Sequence, residues 1–206
     1  MKITWYGHSC FSVETEAGSV VLDPYAPGSV PGCAMPKVRA DAVICSHGHM
    51  DHGYAEGAEL TGNVCGIDTR SVKSFHDDAG GALRGSNDIT VLCADGITLV
   101  HLGDLGHTLS SEQLEEIGKT DVLLIPVGGY YTIDADTAYE VCRSLSPTVI
   151  IPMHYRTESR GYDVLQEVTP FLQHFEPEEI TYSDTAYAEL ALPLKKQVLV
   201  FRKPVV

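Results

Sequence analysis

Three histidines and an aspartate fall within six residues in the stretch Ser46-His47-Gly48-His49-Met50-Asp51-His52-Gly53. Imidazole nitrogens and carboxylate oxygens are the donors that zinc, manganese and iron accept. They make poor core filler, because burying them unpaired is costly. Directly before them, Val43, Ile44 and Cys45 form a short apolar, partly β-branched run that predicts a buried strand. Donors on the loop leaving a strand can converge on a cation while the strand fixes their backbone. His47 and His49 are two residues apart and can point to one side of an extended loop. The adjacent Asp51 and His52 can then serve a second ion close by.

Other donors recur at comparable places further along the chain. His8 sits in the break Gly7-His8-Ser9 between two strand-like segments, residues 2–6 and 10–15. A third strand, residues 19–23, ends with Asp23 before Pro24, and the proline- and glycine-rich stretch from Tyr25 to Lys37 reads as a loop. Tyr54 to Leu60 predicts a short helix, Asn63 to Ile67 a strand, and Asp68 to Val72 a helical turn. His76 follows in Phe75-His76-Asp77-Asp78, where the two aspartates are rival ligands by chemistry but read as a solvated turn. Asp88–Cys93 and Gly96–His101 flank Ala94-Asp95-Gly96, a hairpin signal. The second of these strands runs into Gly103-Asp104-Leu105-Gly106-His107, with His101 itself assigned to the strand.

Ser110 with Gln113 predicts a capping box at the start of a helix that Gly118 stops. A strand over 121–127 leads to Gly128-Gly129-Tyr130-Tyr131, whose tyrosines can line a pocket or simply pack. A helix over 136–145 places Ala138, Val141, Cys142 and Leu145 on one face. The apolar run Thr148 to Met153 again delivers a histidine, His154, at its exit. Arg156, just beyond, can meet an anion or pair with surface acids. Val164 to Phe175 reads as an amphipathic helix with His174 at the surface, and residues 186–192 and 197–202 as a closing hairpin-like pair.

His-x-His-x-Asp-His after a strand resembles the metallo-β-lactamase superfamily, and the order of the remaining elements agrees over almost the whole chain. Within it, Gly7-His8-Ser9-Cys10-Phe11 resembles the opening of the ascorbate-6-phosphate lactonase-like branch, where such a histidine lies near the metals. The resemblance implies an α/β fold, a four-layer αββα sandwich of two mixed sheets with outer helices, here a single domain over 1–206. It implies one metal on His47, His49 and His76, another on Asp51, His52 and His154, and Asp104 bridging them. Asp23 would orient the metal-binding histidines through hydrogen bonds. The ions would be zinc, with manganese or iron also suited to the donor set. Bound water at such ions has its pKa lowered to about 7. Asp51 and Asp104 would hold the catalytic ions, and His107, or else His8, would assist proton transfer. The implied activity is hydrolysis of a small anionic substrate, a lactone or a phosphate ester. The alternatives are phosphodiester cleavage, phospholipid-like substrates included, and a non-hydrolytic metal-binding or redox role. The superfamily's di-iron redox members carry an extra flavin domain that 206 residues cannot house.

Composition narrows the partners. With 28 acidic against 14 basic residues the formal charge is −14, and the chain has no basic run of the kind nucleic-acid binding uses. That disfavours a nuclease or a tRNA-processing role. No apolar run reaches the roughly 18 residues of a membrane span, and the N-terminus shows no secretory signal pattern, so a cytoplasmic location is expected. The six cysteines include no Cys-x-x-Cys pair, and reduced, mostly buried thiols are expected. Oligomeric state is not encoded in any of these features.

Overall fold

The first strand-like segments pair into a mixed sheet that carries the loop with three of the nine histidines. In the computed structural model, which describes residues 1–205, β1 (Lys2–Gly7), β2 (Cys10–Thr15) and β3 (Gly18–Leu22) form an antiparallel meander. A short ribbon of two parallel strands, β4 (Val38–Ala40) and β6 (Ala58–Leu60), stands apart. Between them in sequence, β5 (Ala42–Ile44) joins β3 in parallel, as an edge strand that is half-buried rather than buried.

The second sheet has seven strands. β7 (Asp68–Phe75), β8 (Ser86–Ala94) and β9 (Ile97–His101) are antiparallel, and β10 (Val122–Pro126) and β11 (Val149–Met153) continue in parallel. Beyond β11 lie β14 (Gln197–Phe201) and β12 (Ile180–Ser183), also parallel, whereas β13 (Tyr187–Glu189) pairs with β1 in the first sheet. β10 and β11 are buried along their whole length, which explains their unbroken apolar sequence.

The two sheets face each other across one core. Ile3, Trp5, Phe11 and Val13 from the first meet Ile89, Val91, Leu99 and Ile151 from the second. Trp5 stacks against Tyr155 and Phe201 at ring separations of 6.1 and 6.3 Å. Outside the seven-stranded sheet, α1 (Ser111–Ile117) lies against β7, α2 (Ala135–Leu145) against β10, and α3 (Thr169–Leu172) against α2. The capping box forms as the sequence predicts: Ser110 accepts from the Gln113 N–H, and the Gln113 side chain accepts from the Ser110 N–H. A cap worth about 1 kcal/mol matters for a helix too short to persist alone. The outer face of the five-stranded sheet is covered differently. Cys10, Val21, Tyr25, Val30, Val38 and Ala40 form a separate buried cluster there, supplied by the 24–37 loop and the ribbon instead of by an α-helix.

Five local expectations give way. Ala55–Gly57 is a single 3-10 turn, because Ala58–Leu60 is taken by pairing with β4. Residues 63–67 are irregular, and 68–72 are the first half of β7, an edge strand whose solvent-facing side is polar enough to hide its period. The 164–175 helix shrinks to Thr169–Leu172, since Pro170 denies a hydrogen bond and space to the turn before it. Residues 187–189 and 197–201 do not pair, because Leu190 to Lys196 carry the chain from one sheet to the other. Among the described residues, no helix is long and apolar enough to cross a membrane.

Candidate metal centre

Five strand exits deliver the donors. The loop after β5 carries His47, His49, Asp51 and His52, tightened by His52 and Gly53 N–H bonds to the His49 carbonyl. His76 leaves β7, Asp104 leaves β9, His154 leaves β11, and His8 sits in the turn between β1 and β2. The backbones of His8 and His154 touch, with the His154 N–H 3.5 Å from the His8 carbonyl. Gly103 lets the β9 loop approach: a Cβ there would stand 2.5 Å from that of Ser46. The Asp104 N–H is then held by Asn87 Oδ1 at 2.8 Å.

The side chains fall into overlapping groups whose donor atoms lie within 4.8 Å of one another. His47, His49 and His76 form one, with His47 Nε2 and His49 Nδ1 3.1 Å apart. His8, Asp51, His52 and His154 form another, and His47, His52 and Asp104 a third between them. Asp104 Oδ2 lies 3.1 Å from His52 Nε2, 3.1 Å from His76 Nε2 and 3.2 Å from His154 Nε2. One carboxylate therefore touches members of both sets.

Asp23 sets the tautomers. Its Oδ2 accepts from His52 Nδ1 at 2.8 Å and from Ser46 Oγ at 2.6 Å, while Oδ1 accepts from the Ser46 N–H at 2.7 Å. With His52 Nδ1 carrying a proton, its Nε2 lone pair faces the cluster. Ser46 Oγ spends its own proton on Asp23, so at 3.0 Å it accepts from His47 Nδ1–H, leaving Nε2 of His47 free as well. Burial lowers the pKa of His47 to about 4, and burial with the neighbouring His154 lowers that of His8 to about 3, so both present lone pairs at neutral pH. His52 goes the other way: although burial opposes it, Asp104 and Asp23 on either side push its pKa up. A cation would take the place of that extra proton.

The buried polar atoms test whether the donors fit metal ions. His8 Nδ1 and Nε2, His52 Nε2, His76 Nδ1, His154 Nδ1 and Nε2, and Asp104 Oδ1 are all buried without a hydrogen-bond partner. Each such orphan costs about 1–3 kcal/mol. Through one atom each, His8, His52, His76, His154 and Asp104 belong to groups whose donors converge within 4.8 Å, and divalent ions suited to nitrogen and oxygen would satisfy those donors. The donor set fits them.

Other expected participants lie elsewhere. His107 is not brought to the cluster: its Nδ1 donates to the Thr108 carbonyl at 2.7 Å and its Nε2 accepts from the Phe75 N–H at 3.2 Å. With both nitrogens engaged by backbone, it is set aside as a proton donor. Asp77 is not a solvated turn residue but is buried, accepting from the N–H groups of Ala79, Gly81, Leu83 and Arg84, whereas Asp78 is exposed. His101 is a buried strand residue bonded to the Ser9 carbonyl, and Arg156 pairs with Glu167. A cavity of about 300 Å³ opens on the donors, lined by His49, Asp51, His76, Asp104 and His154 together with Leu83, Arg84, Tyr131 and Tyr162. Arg84 and Tyr162 carry no sequence signal, since each belongs to an irregular segment that only the fold brings here. The Tyr162 hydroxyl donates to the Ser29 carbonyl at 2.6 Å and lies 3.2 Å from Asp51 Oδ2.

Comparison with known proteins agrees with this geometry. Residues 2–154 match the β-lactamase superfamily domain. A UPF0173 metal-dependent hydrolase of Carboxydothermus hydrogenoformans is 30% identical over 193 residues, 76% of this chain and 85% of that one. One of Archaeoglobus fulgidus is 30% identical over 195 residues, 76% and 84% of the two chains. A crystal structure from Thermotoga maritima, named for zinc-dependent hydrolysis within the metallo-β-lactamase superfamily, superposes with a TM-score of 0.78 at 38% identity, covering 97% of each chain. A metallo hydrolase of Ignicoccus hospitalis shares the fold at 22% identity, with a TM-score of 0.61 and coverage of 84% and 89%. The chain belongs to the metallo-β-lactamase superfamily, within its family of UPF0173 metal-dependent hydrolases.

Proposed function

We propose that this metal-dependent hydrolase works with two ions on a small anionic substrate, a lactone or a phosphate ester. The observation that carries the reading is Asp104, whose one oxygen lies 3.1–3.2 Å from histidines of both donor groups. His47, His49 and His76 would hold one ion, and Asp51, His52 and His154 the other, with His8 in reach of the latter. Asp104 would hold both. Zinc fits this donor set, as do manganese and iron. When bound, the ions supply a nucleophile at neutral pH and polarise the carbonyl or phosphoryl oxygen. The chain's own part is to orient: Asp23 and Ser46 fix two imidazoles, and burial keeps the Tyr162 hydroxyl protonated beside Asp51. The cavity, about 300 Å³, sits at the small end of ligand pockets, which supports a small substrate over a polymer. Six unpaired cysteines support a reducing, cytoplasmic setting.

The test is to load metal-free protein with zinc, manganese or iron, count ions per chain, and assay lactones, phosphomonoesters and phosphodiesters. Two ions and hydrolysis of one of the first two classes are expected, with Asp104→Asn losing both. A single ion would refute the dinuclear arrangement. Two ions with no turnover on any class would favour the non-hydrolytic reading.

A further inference from the structure

The cavity wall holds one permanently charged group beyond the metal-binding set. Arg84 is the only lysine or arginine among the nine residues that line it, in a chain where acids outnumber bases 28 to 14. Several basic side chains elsewhere are engaged by acids or carbonyls: Lys73 with Asp88, Arg156 with Glu167, Arg202 with Asp184, Arg70 with the carbonyls ending α1. Among the described residues Arg84 has no carboxylate partner. One Nη2–H donates to the Tyr130 carbonyl at 3.2 Å, and the guanidinium carbon lies 5.9 Å from the centre of the Tyr131 ring. The rest of its planar fork is available to a ligand.

The loop presenting it is built. The buried Asp77 carboxylate accepts from four backbone N–H groups, including that of Arg84 itself at 2.7 Å. The His76 N–H closes the loop onto the Gly85 carbonyl at 3.0 Å. Asp77 directly follows His76, so one short segment positions both a metal-binding imidazole and the guanidinium.

We propose that Arg84 receives a second anionic group of the substrate, a carboxylate or phosphate distant from the bond that is cleaved. The inference rests on the reading of the donor cluster as a metal centre. It makes the preferred substrate a small molecule with its reacting group at the ions and a separate anion at the Arg84 end.

Calorimetric titration of the metal-loaded protein tests it without turnover. The probes are methylphosphonate, which has one anionic end, and ω-phosphonocarboxylates and α,ω-bisphosphonates of increasing chain length. At the best length the two-ended probe should bind about 10- to 100-fold tighter than methylphosphonate, the range of a charge-assisted hydrogen-bonded pair. Arg84→Gln should abolish that gain and leave methylphosphonate affinity and metal content unchanged. Arg84→Lys should restore only part of it, since an ammonium lacks the fork. Comparing the two probe series at equal length shows whether carboxylate or phosphate is the better match. No gain at any length in the wild type would overturn the proposal, as would an Arg84→Gln effect equal on both probe types or absent from both. Methylphosphonate binding that does not depend on metal would instead refute the metal-centre reading.

Discussion

Replacing Asp23 by asparagine should disturb both proposed metal positions through residues that would hold them, although Asp23 itself belongs to neither donor group. The substitution keeps the shape and removes the charge of a buried group that accepts three hydrogen bonds. If the amide oxygen keeps the Ser46 N–H, the NH2 group faces His52 Nδ1 and Ser46 Oγ. His52 must then accept at Nδ1 and carry its proton on Nε2, the atom that faces Asp104 at 3.1 Å. Ser46 Oγ becomes an acceptor from the amide and turns its own proton toward His47 Nδ1, moving the His47 proton to Nε2 as well. One change thus shifts two tautomers, one in each donor group. The flipped amide instead sets NH2 against the Ser46 N–H and strands a buried donor, at a cost of about 1–3 kcal/mol.

Loss of such an orienting partner typically weakens metal binding by 10- to 100-fold, which is about 1.4–2.7 kcal/mol per ion. Titrating metal-free Asp23→Asn with zinc against a chelator of known affinity reads both constants. Asp88→Asn is the control: its carboxylate pairs at 2.8 Å with Lys73, an exposed side chain at the surface, and should leave both constants alone. Circular dichroism checks that the fold persists. Wild-type affinity at both positions in Asp23→Asn would refute the tautomer argument. A loss confined to one position would mean that the Ser46 relay does not reach His47.

Three further outcomes are expected from the geometry. His8→Ala should weaken only the ion held near Asp51, His52 and His154, read as loss of one of two ions on stoichiometric titration; unchanged binding would make His8 a neighbour and not a donor. His107→Ala should keep both ions and turnover while lowering stability by about 1–3 kcal/mol for two lost hydrogen bonds, and a hundredfold fall in kcat would restore it as a proton donor. Burial pushes the Asp77 pKa up, but the N–H groups of Arg84, Gly81, Leu83 and Ala79 outweigh that and hold it at about 2, against an ordinary 3.8. Because the folded value is the lower, the unfolded chain protonates first. The stabilisation of the 77–85 loop is therefore complete above about pH 4 and is lost as pH falls towards 2. Amide exchange at residues 79, 81, 83 and 84 should lose protection across that window, and Asp77→Asn should flatten the response.

What the sequence made legible was the delivery of donors, and what it hid was their surroundings. Apolar runs ending in His47 and His154 announce strands with chemistry at their exits, and both strands form within a residue or two of expectation. Asp23 before Pro24 is readable in the same way. His107 misled because closeness in sequence to Asp104 says nothing of direction: the chain turns at Gly106, whose N–H binds the Phe75 carbonyl, and His107 faces backbone. Asp77 misled because a carboxylate buried by its own loop's amides has the same sequence signature as one in water. Arg84 and Tyr162 reach the cavity from irregular segments, where no period reports which way a side chain points.

Backbone conformation adds an argument that periodicity cannot supply. Among the described residues, six other than glycine have positive φ, and Asp95 (55°) and Ser146 (48°) need no special account, being in a hairpin turn and at a helix C-cap. The other four are His8 (51°), Asp23 (47°), Tyr130 (58°) and His154 (52°). Each lies beyond the end of a strand, and each is a candidate metal donor, the residue that orients one, or the carbonyl that steadies Arg84. Such a backbone costs on the order of 1–3 kcal/mol where the side chain is not glycine. Glycine would avoid that cost at every one of these positions, and the chain uses it at Gly103 and Gly129 nearby. Retaining histidine and aspartate there makes sense only if the residue leaving the strand must both turn sharply and carry a functional group. The strain is thus concentrated where two sheets present their strand exits to a common volume, and the turns at His8 and His154 aim their side chains into it while that at Asp23 sets its carboxylate behind His52.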